Sequence, residues 1–306
     1  MKYVFGPVFS RRLGLSLGVD LVPFKVCSMD CLYCEVGRTT VKTLERREYV
    51  PLKDVIEELK LYLSHNPEID FITFSGYGEP TLFSRLGELV SFLKDNFDYK
   101  LALLTNGSLL HQKEVLEDLK KIDLIFPSLD AVSKEVFEKV NRPCKNLSPE
   151  VIVEGIKKLV SLGKKVWIET LFVKGVNDSE REIERIGEVI HEIKPDKWQL
   201  NTVVRPPAYN VLPLSFSELE RIKEKVGYPR TEIVVYKTSK ESKVQPEKIL
   251  EEIYEIVVRR PCPIDEIACA LGVSEVDVEK EIEKLVAKGK VVKILFGNVV
   301  YVKGVK

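Results

Sequence analysis

KVCSMDCLYCEVGR, residues 25–38, crowds three cysteines into eight positions of a 306-residue chain that has six in all. Cys27, Cys31 and Cys34 follow a C-x3-C-x2-C spacing, with Tyr33 just before the last. A closed structural zinc site takes four ligands, and His65, His111 and His191 all lie far from this loop in sequence. A redox C-x-x-C pair would use two cysteines and leave Cys27 without a role. The loop therefore offers three ligands, and its neighbours decide where in a fold they sit.

Just before it, LSLGVDLV (15–22) reads as a β-strand. Further short β-rich runs follow at DFITFSG (70–76), KLALLTNG (100–107), DLIFPSLD (123–130), KVWIETLFV (165–173) and KWQLNTVV (197–204). Amphipathic helical patterns separate them. PLKDVIEELKLYL (51–63) places Val55, Ile56, Leu59 and Leu63 on one face behind Pro51. Ser148 and Asn177 or Asp178 stand where later helices need N-caps. Six strand–helix repeats imply a parallel sheet with helical crossovers. The strands are nearly continuous apolar runs, as in sheets covered on both faces. No GxGxxG follows the first strand, so the expected α/β fold is a partial (β/α)6 TIM-like barrel over residues 1–228. The cysteine loop then falls on its C-terminal face, where such barrels do their chemistry.

Residues 229–245 read as a weak strand and a linker. Residues 246–306 follow another pattern. A helix comes first, then a short helix ending at Gly272, a capped helix, and two β runs around a Gly-Asn turn. That order predicts a winged-helix domain.

Bulk composition excludes several classes. Charged residues make up 31% but balance, 47 basic against 47 acidic, so nothing global points to a polyanion. The start MKYVFGPVFSRRLG lacks a signal-peptide apolar run, and no run is long enough to span a membrane. The expectation is a cytoplasmic, reducing setting, with cysteines as ligands or free thiols. Scarce Gln beside abundant Lys and Glu fits a thermophile.

A [4Fe–4S] cluster has four irons, so three thiolates leave one iron open to an outside ligand. The C-x3-C-x2-C spacing with an aromatic before the last cysteine resembles the signature of the radical S-adenosylmethionine (SAM) superfamily. That resemblance implies a [4Fe–4S] cluster on Cys27, Cys31 and Cys34, with SAM chelated by the open iron. It also implies one-electron cleavage of SAM to a 5′-deoxyadenosyl radical, which takes hydrogen from a substrate. The electron would come from a donor such as ferredoxin or flavodoxin.

Further motifs fall at strand ends. SGYGEP, with Gly78, Glu79 and Pro80, resembles the superfamily's GEP element for the methionyl amino group. Ser128 and Asp130 are two apart and would share a side of an extended chain; the resemblance puts such a pair on the ribose hydroxyls. Ser133 equally suits a helix cap there. Asn106 lies in the TNG turn after the third strand. Glu169 and Asn201 are polar residues in apolar strands and need partners, from SAM or from the core. The resemblance implies that the backbone of Tyr33 meets the adenine edge.

GPVFSRRLGLSLGVDLVPFKVC, SLDAVSKEVFEKVNRP and QLNTVVRPP resemble a prokaryotic group related to the enzymes that build the wyosine base on tRNA. Residues 1–26 contain no cysteine, a departure from the second cluster of those enzymes. Cys144, Cys262 and Cys269 read as core thiols, the last two close enough in sequence for a disulfide. Arg38, Arg142, Lys174, Arg205, Arg11 and Arg12 form a candidate set for clamping a phosphate or carboxylate of the substrate. The tail from 246 carries ten basic and eleven acidic residues, and its third helix opens with Glu275, Asp277, Glu279, Glu281 and Glu283. Protein or substrate docking is therefore favoured over RNA, and RNA over DNA. Three alternatives remain: tRNA modification related to wyosine synthesis, a metal-sensing winged-helix regulator, and activation of a glycyl-radical partner enzyme.

Overall fold

The computed structural model describes residues 2–10, 12–234 and 249–305. Arg11 and most of the expected linker lie outside the described residues. Strand β1 (Val4–Ser10) pairs antiparallel with β2 (Gly14–Val19). A short parallel pair, β3 (Val26–Cys27) and β4 (Val41–Lys42), frames the cysteine loop. From β2 the sheet continues parallel through β5 (Phe71–Phe74), β6 (Lys100–Thr105) and β7 (Leu124–Pro127). Strands β8 (Trp167–Phe172), β9 (Lys197–Thr202) and β10 (Thr231–Ile233) form the other part. Bridges from Ile125 to Val166 and from Ser128 to Glu169 join the two at β7 and β8. Among the described residues no pairing links β10 back to β1, so the barrel stays open.

Helices α1 (Leu52–Leu63), α2 (Leu86–Asn96) and α3 (Lys113–Asp118) make the first crossovers. Two helices, α4 (Lys134–Val140) and α5 (Pro149–Ser161), share the next. The last two are α6 (Glu180–Ile193) and α7 (Phe216–Val226). Each turns an apolar stripe onto the sheet; α1 buries Leu52, Val55, Leu59 and Leu63. Among the described residues no helix is long and apolar enough to cross a membrane.

All six expected strands form, and the sheet holds two more. Strand β10 extends it by one parallel strand, past the expected boundary at residue 228. It falls where the start of residues 229–245 reads as a weak strand, and it pairs with β9. Strand β1 escapes a reading by pattern, because Gly6 and Pro7 interrupt it; proline is tolerated at an edge. The cap of α6 also differs. Ser179 accepts from the Glu182 amide, whereas Asn177 is buried, receiving the Val173 amide and donating to the Asp130 and Leu171 carbonyls.

The C-terminal unit runs α8 (Ile249–Arg259), β11 (Cys262–Pro263), α9 (Ile264–Leu271), α10 (Glu275–Ala287), β12 (Val291–Phe296) and β13 (Val299–Gly304). Ile253, Val257, Ile267, Val278, Ile282 and Leu285 are among the buried residues of its own core. Cys262 is buried there and Cys269 half-buried, and no disulfide joins the two.

This unit lies against the β1 edge. The Arg259 guanidinium stacks on Phe5 at 4.7 Å, and Tyr301 donates to the Val204 carbonyl at 2.6 Å. Arg205, only 3% exposed, pairs with Glu35 at 3.0 Å and with Glu266 at 2.5 Å. Burial pushes the Glu266 carboxyl up, but Arg205 and Arg260 outweigh it and hold its pKa below the usual value. The lowered value makes this a contribution present at neutral pH and lost as acid titrates the folded chain. Arg205→Met should cost about 1–3 kcal/mol by leaving Glu266 and Glu35 with Arg260 as their remaining cation, and adding Glu266→Leu should recover part of it. Denaturant midpoints at pH 7 check both, and the gap between wild type and Arg205→Met should narrow in acid.

Candidate active site

The cysteine loop follows β3 and is fixed by backbone hydrogen bonds to the turn after α4. Asp30 N–H donates to the Asn141 carbonyl and Leu32 N–H to the Val140 carbonyl. Cys27, Cys31 and Cys34 line one cavity of about 310 Å³, together with residues just past β5, β6 and β7. That is the C-terminal face of the barrel, as the position of the loop predicts.

Each sulfur accepts one side-chain hydrogen bond. Lys25 Nζ donates to Cys34 Sγ at 3.0 Å. Asn106 Nδ2 donates to Cys27 Sγ, and Asn141 Nδ2 to Cys31 Sγ, both at 3.5 Å. Burial pushes the Cys27 thiol up to about 11, against the pull of Lys25, and pushes Cys31 up as well. Lys25 is itself buried, in the left-handed backbone region at φ 53°. Burial works against its charge, yet the facing cysteines leave its pKa raised. Among the described residues no three Cys, His, Asp or Glu side chains converge on one point as ligands of a single ion would. Ligands that each take a different iron of a cluster need no such convergence.

Glu79, 2% exposed, sits where SGYGEP places it. Its Oε1 accepts from the Thr81 amide, the Thr81 hydroxyl and the Thr105 hydroxyl, and its Oε2 from the Asn106 amide. Burial, the largest influence, leaves its pKa raised despite those donors. Asn106 thus links Glu79 to Cys27, and it also donates to Ser28. A Cβ on Gly78 would stand 1.8 Å from the Val26 carbonyl oxygen, so the loop passes β3 too closely for any side chain. Pro80 starts a buried 3₁₀ turn behind the cavity wall.

The Ser128/Asp130 expectation is corrected in part. Ser128 lines the cavity. Asp130 does not; it turns behind the cysteine loop, accepting from the Tyr33 hydroxyl, Asn141 Nδ2 and the Leu171 amide. Backbone pairing continues through Ser128 and Leu129 to Glu169 and ends there, and the Asp130 carboxylate is held by its own three donors away from the Ser128 side chain. Burial lifts Asp130 to about 6. Glu169 faces the cavity and pairs with Arg12 at 2.7 Å. Asn201 lies behind it, donating to Glu169 Oε1.

The expected basic clamp does not assemble. Arg38 and Arg142 both stack on Tyr209, at 4.5 and 4.4 Å. Lys174 pairs with Glu218 on the surface, and Arg205 is buried against the C-terminal unit. Only Arg12 of that set reaches the cavity of the cysteines among the described residues. Sequence reasoning misses Lys25, Asn141, Arg259 and Arg260. Lys25 carries a signal, as a lysine two residues before the first cysteine; the others come from distant elements and carry none.

The chain belongs to the radical SAM superfamily, whose profile matches residues 21–185. It is thus an enzyme of that class. Within it, the chain is 34% identical over 315 residues to a UPF0026 protein of Methanocaldococcus jannaschii, covering 100% of this chain and 97% of that one. It is 37% identical over 294 residues to a Brachyspira hyodysenteriae protein named GTPase Obg, covering 95% of this chain but 43% of that one. A structure of TYW1 with a lysine–pyruvate adduct shares the fold, with a TM-score of 0.54 at 18% identity over 78% of this chain and 79% of that one.

Gly78→Ala should force β3 and Cys27 aside and cost about 1–3 kcal/mol. A lowered thermal midpoint, with reduced iron uptake during anoxic reconstitution, is the expected result.

Proposed function

We propose that Cys27, Cys31 and Cys34 hold a [4Fe–4S] cluster and that the adjoining strand ends hold SAM. The observation that carries this reading is three thiols on one loop, each with its own N–H donor, opening on one cavity. The donor set fits a cluster: a facing ammonium and amide N–H groups stabilise thiolate charge, and N–H donors to sulfur tune such centres. When bound, the cluster supplies the electron that cleaves SAM to methionine and the 5′-deoxyadenosyl radical, which takes hydrogen from the substrate.

The chain's own residues do the rest. Lys25, Asn106 and Asn141 draw charge from the sulfurs. Glu79 offers a carboxylate to the methionyl ammonium, and Gly78 keeps side-chain bulk out of that approach. Ser128 serves the ribose, while Asp130 holds the cysteine loop through Tyr33. The Tyr33 backbone faces the adenine. Glu169 is presented to the cavity, with Asn201 fixing its orientation. A ferredoxin- or flavodoxin-like carrier is the electron source.

The C-terminal unit we read as a winged helix, from its order of three helices and a hairpin. Helix α10 exposes Glu275, Asp277, Glu279 and Glu283, which repels nucleic-acid phosphates. Docking to the barrel and its substrate is favoured over a DNA-reading metal sensor. The likeness to TYW1 is one of fold and does not select tRNA as substrate. GTPase is the name of a protein of which this chain covers 43%, and the chain has no GxxxxGK[ST] run.

Anoxic reconstitution should load four irons, and dithionite with SAM should yield 5′-deoxyadenosine and methionine. Cys31→Ala should lose both iron and cleavage. One retained zinc and no iron under anoxic handling would refute the cluster. Asn141→Ala should keep the cluster and lower its reduction potential, read by electron paramagnetic resonance titration.

A further inference from the structure

A second cavity of about 290 Å³ lies between the cysteine loop and the C-terminal unit. Phe24, Glu35, Gly37 and Arg38 form one side of it; Val257 to Pro261, Lys303 and Gly304 form the other. It shares Glu35, Val36, Arg259 and Arg260 with the cavity of the cysteines, so the two adjoin across a common wall.

The charges in this second chamber are unevenly satisfied. Arg259 pairs with Asp20 and Glu255. Arg260 meets Glu266 at 3.0 Å and Glu35 at 4.0 Å, and its side chain remains 23% exposed. Glu35 is already engaged by Arg205. Arg38 is exposed at the rim and stacks on the ring of Tyr209, and Lys303 is half-buried; neither has a carboxylate partner among the described residues. Two uncompensated cations, one from each unit, therefore line a concave space beside Arg260.

The first cavity is at the small end of ligand sites, and the reading above commits it to SAM. The substrate needs further room, and the second chamber adjoins.

We propose that this chamber is the substrate's anion site, with Arg38, Arg260 and Lys303 receiving a phosphate group. Two unpartnered cations match a phosphate's charge of about −1.5 to −2, whereas a single carboxylate would leave one over. Arginine forks suit phosphate oxygens, and lysine adds a point charge. The C-terminal unit then completes the substrate site, and the substrate class is a phosphorylated molecule. The assignment rests on the radical SAM reading only in naming the bound group as substrate.

Pyrophosphate is the probe, titrated calorimetrically into the reconstituted full chain at one fixed ionic strength, with citrate as the carboxylate comparator. Wild type should bind pyrophosphate more tightly than citrate. The double variant R38Q/K303Q should weaken pyrophosphate at least tenfold, while K303R keeps most of the binding and K113Q, on exposed α3, keeps all of it. Circular dichroism and thermal melting show that the double variant is folded. The proposal is overturned if wild type fails to bind pyrophosphate, if a folded double variant binds it equally well, or if citrate is preferred. Wild-type SAM cleavage, assayed separately, reports on the earlier reading, so the two fail independently.

Discussion

The Asp20 carboxylate is the joint on which the molecule turns. It stands one residue past β2 and is 3% exposed. Its Oδ1 accepts the Tyr77 amide at 2.9 Å, fixing the loop that carries Glu79. Its Oδ2 accepts Arg259 Nε at 3.1 Å, fixing the C-terminal unit. A Cβ on Gly76 would fall 1.8 Å from Oδ1, so the loop closes on this carboxylate only because that residue is glycine, at φ 124°. A buried carboxylate is costly alone, and the Arg259 pair with the Tyr77 amide offsets the cost. One side chain thereby sets the distance between the barrel strands, the Gly76–Glu79 turn and the C-terminal unit.

The cysteine loop obeys the same economy of partners. Burial disfavours the ionised forms of Cys27 and Cys31 unless donors or cations face them. Lys25, Asn106 and Asn141 supply one donor each, from three separate segments. Asn106 also holds Glu79 through its amide, and Asn141 also holds Asp130. The polar groups at the strand ends therefore form a connected mesh around the sulfurs.

The fold is legible in the sequence where periodicity is long and clean. Six apolar strand runs and their amphipathic helices point to the parallel sheet, and the Gly297–Asn298 turn points to the terminal hairpin. Strand β1 is illegible for a physical reason, since it carries Pro7 and owes its place to β2; β10 reads only weakly because it is three residues whose parallel pairing depends on β9. The cysteine ligands are legible because three such residues on one loop have few uses. The Asp130 role is not. Its partners Tyr33, Asn141 and Leu171 come from other segments of the chain, and no local pattern announces them. The basic clamp fails for a related reason. Arginine type and strand-end position do not tell whether an aromatic ring or a buried acid claims the guanidinium first.

Strand β1 is antiparallel, lies at the edge of an otherwise parallel sheet, and is covered by the C-terminal unit through Phe5 and Val8. A chain cut after Val234 would uncover that row of backbone donors and acceptors together with its apolar neighbours. Such an edge is a template for pairing with other chains. The barrel and its tail are thus bound by a solubility requirement as well as by the site they share, and trimming the protein to a minimal catalytic core would trade a well-behaved chain for an aggregating one.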